Sequence, residues 1–217
     1  MPPIHIVDRY MQTVEQLGIK NDDKGLDYFI PEIDEVNIAS LPAPHQNGYI
    51  GFVIGAKHFT KKLPTEKIIS ICKKLNQPII LLGGKEDMES GDLIKKGIEN
   101  SVNHSSVFED KAAESIIYNA CGKYNLNQSA SLVKQASKIV SHDTGLMHIA
   151  AAFKKEIISV WGNTVPAFGF TPYMPDSESK IAEVKNLPCR PCSKIGYDKC
   201  PKCHFKCMML IDENEFV

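Results

Sequence analysis

The feature that most constrains the fold is the stretch at residues 138–153, where the sequence changes from apolar to polar and back to apolar. A short apolar run reaches Val140, the polar turn Ser141-His142-Asp143-Thr144-Gly145 follows, and small and apolar residues continue to Phe153. A strand, a turn and a helix in direct succession are the repeating unit of a parallel sheet. Because the first N–H groups of a helix have no partner within it, this turn is suited to binding an anion.

Four residues of this stretch have side chains or backbone suited to a ligand. Thr144 has a hydroxyl to donate, and Gly145 has no side chain to keep a phosphate away. Asp143 is a good helix N-cap, and its carboxylate can instead accept hydrogen bonds from a sugar. His148 comes one helical turn after Thr144, so both can face one ligand. An ordinary capped helix explains the same residues, and the pattern alone leaves both interpretations open.

Strand-like apolar runs alternate with helix-like segments along most of the chain. The predicted strands are 49–55, 78–84, 115–120, 138–140 and 156–161, and the predicted helices are 64–75, 88–98 and 129–137. This alternation predicts an α/β fold, a Rossmann-like parallel sheet with helices on both faces. Ligands of such sheets bind at the carboxyl ends of the strands, and we expect the polar loops to meet at that edge.

The chain divides by composition into three segments. Apolar residues between positions 4 and 18 recur at helical spacing and end at Gly18, which predicts an amphipathic helix. We predict a linker helix and connecting segment at residues 1–47, the sheet domain at 48–185 and a cysteine-rich tail at 186–217.

Composition and charge exclude some classes of function. The 217 residues are 43% hydrophobic, which is enough for a packed core. The net charge of −1 lacks the basic excess of a nucleic-acid-binding protein. No apolar run is long enough to span a membrane, and the first residues lack the regions of a signal peptide. We therefore expect a cytoplasmic protein with at most peripheral membrane contact.

A basic loop at residues 55–62 follows the first predicted strand of the sheet. Lys57 and Lys61 can neutralise a diphosphate there, and Thr60 can donate a hydrogen bond to it. A solvated basic loop is the alternative interpretation.

Two carboxylates follow the second predicted strand. A carboxylate at a strand end can accept hydrogen bonds from both ribose hydroxyls of a nucleotide, and Glu86 and Asp87 are the candidates for this role. Capping of the next helix is the alternative for either residue.

The tail holds a dense group of cysteines. Cys189 with Cys192 and Cys200 with Cys203 form two Cys-x-x-Cys pairs, and Cys207 follows them. Four thiolates can bind zinc, but the loop between the pairs is shorter than is usual in a zinc ribbon. Free or packing thiols are the preferred interpretation in a chain that looks cytosolic.

Two motifs resemble the signature of glycosyltransferase family 9, which contains the ADP-heptose:lipopolysaccharide heptosyltransferases. They are Asp143-Thr144-Gly145-Leu146-Met147-His148-Ile149-Ala150-Ala151 and Trp161-Gly162-Asn163-Thr164-Val165-Pro166. The family pattern reads roughly D-[ST]-G-x-x-H-x-A-A and F/W-G-x-T-x-P, and this sequence keeps every fixed position. The resemblance implies the C-terminal, donor-binding domain of a GT-B enzyme, with residues 48–185 binding a nucleotide-sugar.

The resemblance also implies roles for individual residues. Lys61 matches the phosphate-contacting lysine of the family. Glu86 matches its ribose-binding acid, with Asp87 as second choice. Asp143 and His148 have supporting catalytic roles, at the sugar hydroxyls and the phosphate side. The predicted donor-binding residues are Lys57, Thr60, Lys61, Glu86, Thr144, Gly145, Leu146 and His148. The family generally acts without a metal, so we expect no cofactor besides the donor.

The implied reaction is inverting transfer of a sugar, with ADP-heptose as the expected donor and a lipopolysaccharide core sugar as acceptor. The acceptor domain and its general base belong to an N-terminal half with no counterpart here, so a separate N-terminal acceptor domain is an expected partner. Such a reaction places the protein at the inner face of the inner membrane. A nucleotide-binding module without transfer activity is the alternative, and a zinc-stabilised interaction domain is a weaker one.

Overall fold

A six-stranded parallel sheet forms the centre of the protein in the computed structural model, which describes residues 4–102 and 115–217. Its strands are β1 (Ile50–Val53), β2 (Ile79–Leu82), β3 (Ile117–Asn119), β4 (Lys138–His142), β5 (Ile157–Trp161) and β6 (Lys180–Glu183). The helices are α1 (Ile6–Val14), α2 (Thr65–Leu75), α3 (Met88–Val102), α4 (Leu126–Gln135), α5 (Gly145–Ala152) and α6 (Lys206–Met209). The strands lie in the order β3-β2-β1-β4-β5-β6, and all neighbours pair in parallel. The predicted fold class is confirmed.

Alternate side chains of the strands enter two hydrophobic cores, one on each face of the sheet. In β2, for example, Ile79 and Leu81 belong to the first core, whereas Ile80 and Leu82 belong to the second. Helices α2, α3 and α6 contribute buried residues to the first core, and α4 and α5 to the second. Since both faces are covered, the central strands β1, β2, β4 and β5 are buried on both sides.

A capping box sets the start of α4 and corrects one predicted boundary. Helix α4 begins at Leu126, not at the predicted residue 129. The Asn125 side chain accepts from the Gln128 N–H at 2.8 Å, and the Gln128 side chain accepts from the Asn125 N–H at 3.0 Å. This reciprocal capping box satisfies two N–H groups that a later start would leave unpaired.

The predicted N-terminal helix is confirmed as α1, followed by a 3-10 turn that ends at Gly18. The connecting segment then runs over the second core, where Leu41 is buried and Tyr28 and Ile30 pack against the cluster. The tail does the same on the other face, since Met208 and Phe216 belong to the first core. The predicted division at residues 48 and 186 stays a prediction.

One strand has no counterpart among the predicted elements. β6 lies at the edge of the sheet, where Lys180 and Ile181 are exposed and Ala182 is buried. Within the described ranges, no helix has the length and apolar character needed to cross a membrane.

Candidate functional site

A cleft of about 480 Å³ opens at the carboxyl edge of the sheet. Its lining comes from residues 55–57 and Lys62 after β1, from Gly83, Gly84, Glu86 and Asp87 after β2, from Tyr124, Asn125, Leu126 and Ser129 at the start of α4, and from Thr144 and Leu146 after β4. These loops flank the place where the strand order reverses between β1 and β4, the usual ligand position in a doubly wound sheet. The prediction that the polar loops meet at one edge is confirmed.

The basic loop places its side chains in three different environments. Lys57 is exposed and lines the cleft. Lys61 points elsewhere and pairs with the carboxylate of Asp143 at 2.7 Å. Thr60 is 1% exposed, and its hydroxyl is engaged by the backbone of Tyr197 rather than open to the cleft.

The two carboxylates after β2 have different surroundings. Asp87 is 3% exposed, pairs with Lys62 at 2.6 Å and accepts the Gly84 N–H at 3.0 Å. Both of its oxygens therefore already hold this loop together. Glu86 is exposed at the cleft. The geometry thus favours Glu86 over Asp87 for contact with a ligand, and the role itself stays a prediction.

The start of α5 faces the cleft with its backbone open. Thr144 is the N-cap residue, so the N-cap prediction for Asp143 is wrong. The Asp143 carboxylate contacts Lys61 and Thr164 instead. In this described helix the Thr144 side chain makes no capping hydrogen bond. Apart from its chain neighbours and the backbone of its own helix, no described atom lies within 4 Å of the place a side chain would occupy at Gly145. Packing therefore does not explain the glycine, and the open space leaves room for an anion to approach the helix start.

Asp143 and His148 form a second group of predicted residues beside the cleft. The Asp143 carboxylate accepts a hydrogen bond from Thr164 Oγ1 at 3.1 Å in addition to its Lys61 pair. Burial lowers the pKa of His148; Asp143 opposes this shift, and His5 and Lys61 add to it. An uncharged His148 can orient a ligand by hydrogen bonding but carries no positive charge near neutral pH.

His5 is a residue of this group whose position the sequence does not predict. Its Nδ1 accepts the Val7 N–H at 3.2 Å and caps α1, so the neutral ring carries its proton on Nε2. That nitrogen lies 2.8 Å from the Thr171 carbonyl oxygen and donates to it. Helix α1 thereby brings an imidazole into electrostatic range of His148.

A family model for glycosyltransferase family 9 (heptosyltransferase) matches residues 2–200. The chain belongs to glycosyltransferase family 9. The lipooligosaccharide heptosyltransferase 2 of Haemophilus influenzae is 29% identical over 136 residues, which is 61% of this family 9 chain and 36% of that protein. This chain therefore spans about a third of the length of that curated relative.

Two solved structures share the fold of this family 9 chain. The family 9 glycosyltransferase of Veillonella parvula gives a TM-score of 0.71 at 20% identity, covering 98% of this chain and 58% of that one. The Escherichia coli heptosyltransferase WaaC with ADP gives 0.58 at 21% identity, covering 83% and 51%.

Several residues of the family 9 cleft were missed by sequence reasoning. Tyr124, Asn125 and Ser129 enter the lining because α4 starts one turn earlier than predicted. Lys62 belongs to the predicted basic loop but was not singled out; it lines the cleft and pairs with Asp87. The capping box could have revealed the first group, whereas the Lys62 pair leaves no sequence signal.

The cysteines of the family 9 tail lie outside the cleft. Among residues 4–102 and 115–217, no three His, Cys, Asp or Glu side chains are grouped closely enough to hold a metal ion. The zinc hypothesis for Cys189, Cys192, Cys200, Cys203 and Cys207 therefore has no support in this arrangement. Cys189 Sγ instead lies 3.7 Å from His204 Nε2.

Proposed function

We propose that this chain is the donor-binding half of a heptosyltransferase. It binds a nucleoside diphosphate sugar, ADP-heptose, and the complete enzyme transfers the sugar to a lipopolysaccharide core acceptor at the inner face of the inner membrane. The observation that carries the proposal is the cleft at the strand-order reversal of a family 9 sheet, with lysines, an exposed carboxylate and an open helix start around it. The ADP named for the Escherichia coli structure supports an adenine nucleotide.

The nucleoside would occupy the part of the cleft between the loops after β2 and β3. Glu86 is exposed there and can accept hydrogen bonds from the ribose hydroxyls, since a carboxylate accepts two. Tyr124 also lines the cleft and offers an aromatic face to the base.

The diphosphate would lie over the start of α5. Its charge is met there by the unpaired N–H groups after Thr144 and by the ammonium groups of Lys57 and Lys62. The leaving group of sugar transfer is this diphosphate, so the same groups stabilise the charge that develops in the transition state. These groups supply the charge without a metal, in line with the metal-independent reaction that we propose.

The sugar would then point toward Asp143 and His148. Asp143 can accept from sugar hydroxyls, and neutral His148 can hold the phosphate side in place. We propose inverting transfer, in which the acceptor hydroxyl attacks the anomeric carbon opposite the diphosphate. The acceptor and the general base would come from a separate N-terminal acceptor domain.

A nucleotide-binding module without transfer activity is the second candidate. It is supported by the cleft itself, whose lysines and exposed carboxylate suit a nucleotide. The test mixes this chain with an N-terminal acceptor domain, ADP-heptose and acceptor. Sugar transfer would support the enzyme, and no transfer would support the binding module.

The donor site is tested by calorimetric titration of the chain with ADP, with UDP and GDP as controls. We expect selective binding of ADP and about tenfold weaker binding in Glu86→Ala, because the ribose loses its acceptor. Glu89→Ala is the matched control, since Glu89 is an exposed carboxylate outside the cleft lining. A folded chain that binds no nucleotide, or equal affinity in both variants, would contradict the proposal.

A further inference from the structure

A segment of the tail joins the two sides of the site. Residues 190–198, called the strap below, follow the first cysteine of the tail. At one end of the strap, Tyr197 bonds to Thr60 of the basic loop through three hydrogen bonds. The Tyr197 N–H donates to Thr60 Oγ1 at 2.8 Å, and the Thr60 N–H and Oγ1 both donate to the Tyr197 carbonyl oxygen at 3.1 Å.

The strap also packs directly on the basic loop beside these bonds. Gly196 has a φ of +132°, and a side chain there would lie 2.6 Å from Cβ of His58. A residue with a side chain would be strained by this backbone and would clash with the loop. The strap and the loop therefore touch over several residues.

At its other end the strap holds the loop after β5. Arg190 has a side chain that is 5% exposed and pairs with Glu183 at 2.7 Å. Its guanidinium donates to the Gly162 carbonyl oxygen and, at 2.9 Å, to that of Thr164. The Cys192 N–H donates to the Asn163 carbonyl oxygen at 3.2 Å.

These contacts form a closed circuit of interactions beside the place where we propose that the diphosphate binds. Thr164, fixed by the strap, donates its hydroxyl to Asp143, and Asp143 pairs with Lys61. Lys61 is the neighbour of Thr60, which is bonded to the strap again. The circuit thus passes from the tail through the loops after β5, β4 and β1 and back to the tail.

From these contacts we propose that Thr60 is a positioning residue. Its buried hydroxyl anchors the basic loop to the strap and so places Lys57 and Lys62 for the donor diphosphate. It acts through the loop and not as a phosphate ligand, which revises the role that the sequence suggests. The inference rests on the proposed function, because it assumes that a diphosphate binds beside this loop.

The physical reason lies in the flexibility of lysine. A lysine binds phosphate as a point charge on a flexible stem, so its contribution depends on how firmly its backbone is held. Thr60 is 1% exposed, and without its hydroxyl the Tyr197 N–H loses its acceptor. The loop should then sample other positions, and the lysines would be placed less often beside the diphosphate.

The test compares ADP with adenosine, which lacks the phosphates, in calorimetric titrations of the full chain. In Thr60→Val, which keeps the size of the side chain, we expect about tenfold weaker ADP binding, with adenosine binding kept within about twofold. Thr60→Ser keeps the hydroxyl and should restore wild-type ADP affinity. Should Thr60→Val fail to fold, Thr60→Ala makes the same comparison with less crowding.

Hydrogen exchange separates this inference from the proposed function. Loss of the anchor should speed exchange in residues 57–63 and 190–198 of the Val variant and leave the Ser variant at the wild-type rate. A wild-type chain that binds no ADP contradicts the proposed function and with it the role of Thr60 toward a diphosphate; the exchange rates would still show whether the anchor exists. Equal loss of ADP and adenosine binding, or unchanged ADP binding and exchange, would overturn the inference.

Discussion

Gly145 is a residue at which folding and ligand binding should respond differently to one methyl group. The site of a side chain there is empty, and alanine favours helix over glycine. We expect Gly145→Ala to keep or raise the thermal midpoint of unfolding. We also expect it to weaken ADP binding about tenfold, because the methyl group keeps the phosphate from the helix start.

Thermal unfolding and ADP titration of the same Gly145→Ala preparation check this expectation, with adenosine as the ligand that should be unaffected. Wild-type ADP affinity in a folded Gly145→Ala chain would show that no anion approaches α5.

His142 should make the stability of the protein depend on pH. Burial lowers the pKa of His142 to about 4, and Lys62 adds to this, whereas Asp87 opposes it. Its Nε2 accepts the Leu63 N–H at 2.9 Å, a bond that protonation would break. Because the unfolded chain takes up the proton first as pH falls below the ordinary histidine pKa, stability is full near neutral pH. It should drop by about 2 kcal/mol between about pH 7.5 and pH 5.

Urea unfolding at several pH values measures this dependence. His148, whose pKa is also lowered, adds to the same trend. In His142→Gln the slope of stability against pH should be clearly smaller than in the wild type, and an identical slope would assign the effect to other groups.

At the scale of elements, the predictable parts are those with a strong local signal. Each of the four central strands contains a buried apolar run, so their positions follow from the sequence. β6 is a four-residue edge strand with an exposed Lys180, and a polar edge strand has no period that reveals it. The prediction of Asp143 as the N-cap of α5 was wrong for a different reason. Asp143 pairs with Lys61, which is 82 residues away in the sequence.

The last 3-10 turn, Glu213–Phe216, should contribute strongly to stability although it follows every strand in sequence. Phe216 is fully buried in the first core, and Glu213 pairs with Lys67 of α2 at 3.2 Å. We expect Phe216→Ala to lower the free energy of unfolding by about 3–5 kcal/mol, the range for a phenylalanine removed from a core.

Val217→Ala is the matched control, because Val217 is 67% exposed and should lose little. The fluorescence of Trp161, the single tryptophan and fully buried in the second core, follows unfolding in both variants. Similar stability in the two variants would show that the turn packs only loosely on α2.

At the scale of the whole molecule, the sequence predicts where the site lies but not how its parts are held. The parallel sheet brings the loops to one edge, and this follows from local patterns alone. The bonds within that edge join residues far apart: Thr60 and Tyr197 are separated by 137 positions. No local pattern records such a pair, so the roles of Thr60 and Lys61 could be stated from the sequence only as separate ligands.

The strap has a consequence for how the chain acquires its function during synthesis. The basic loop leaves the ribosome early, but its anchor is made only after residue 197 has also emerged. Phe216, which completes the first core, comes later still. Since chains grow from the N-terminus at roughly 5–20 residues per second, the loop waits on the order of ten seconds for its partner. On the proposed function, the chain should gain its affinity for a donor only after the strap has emerged, and a nascent chain stalled before the strap should bind ADP weakly.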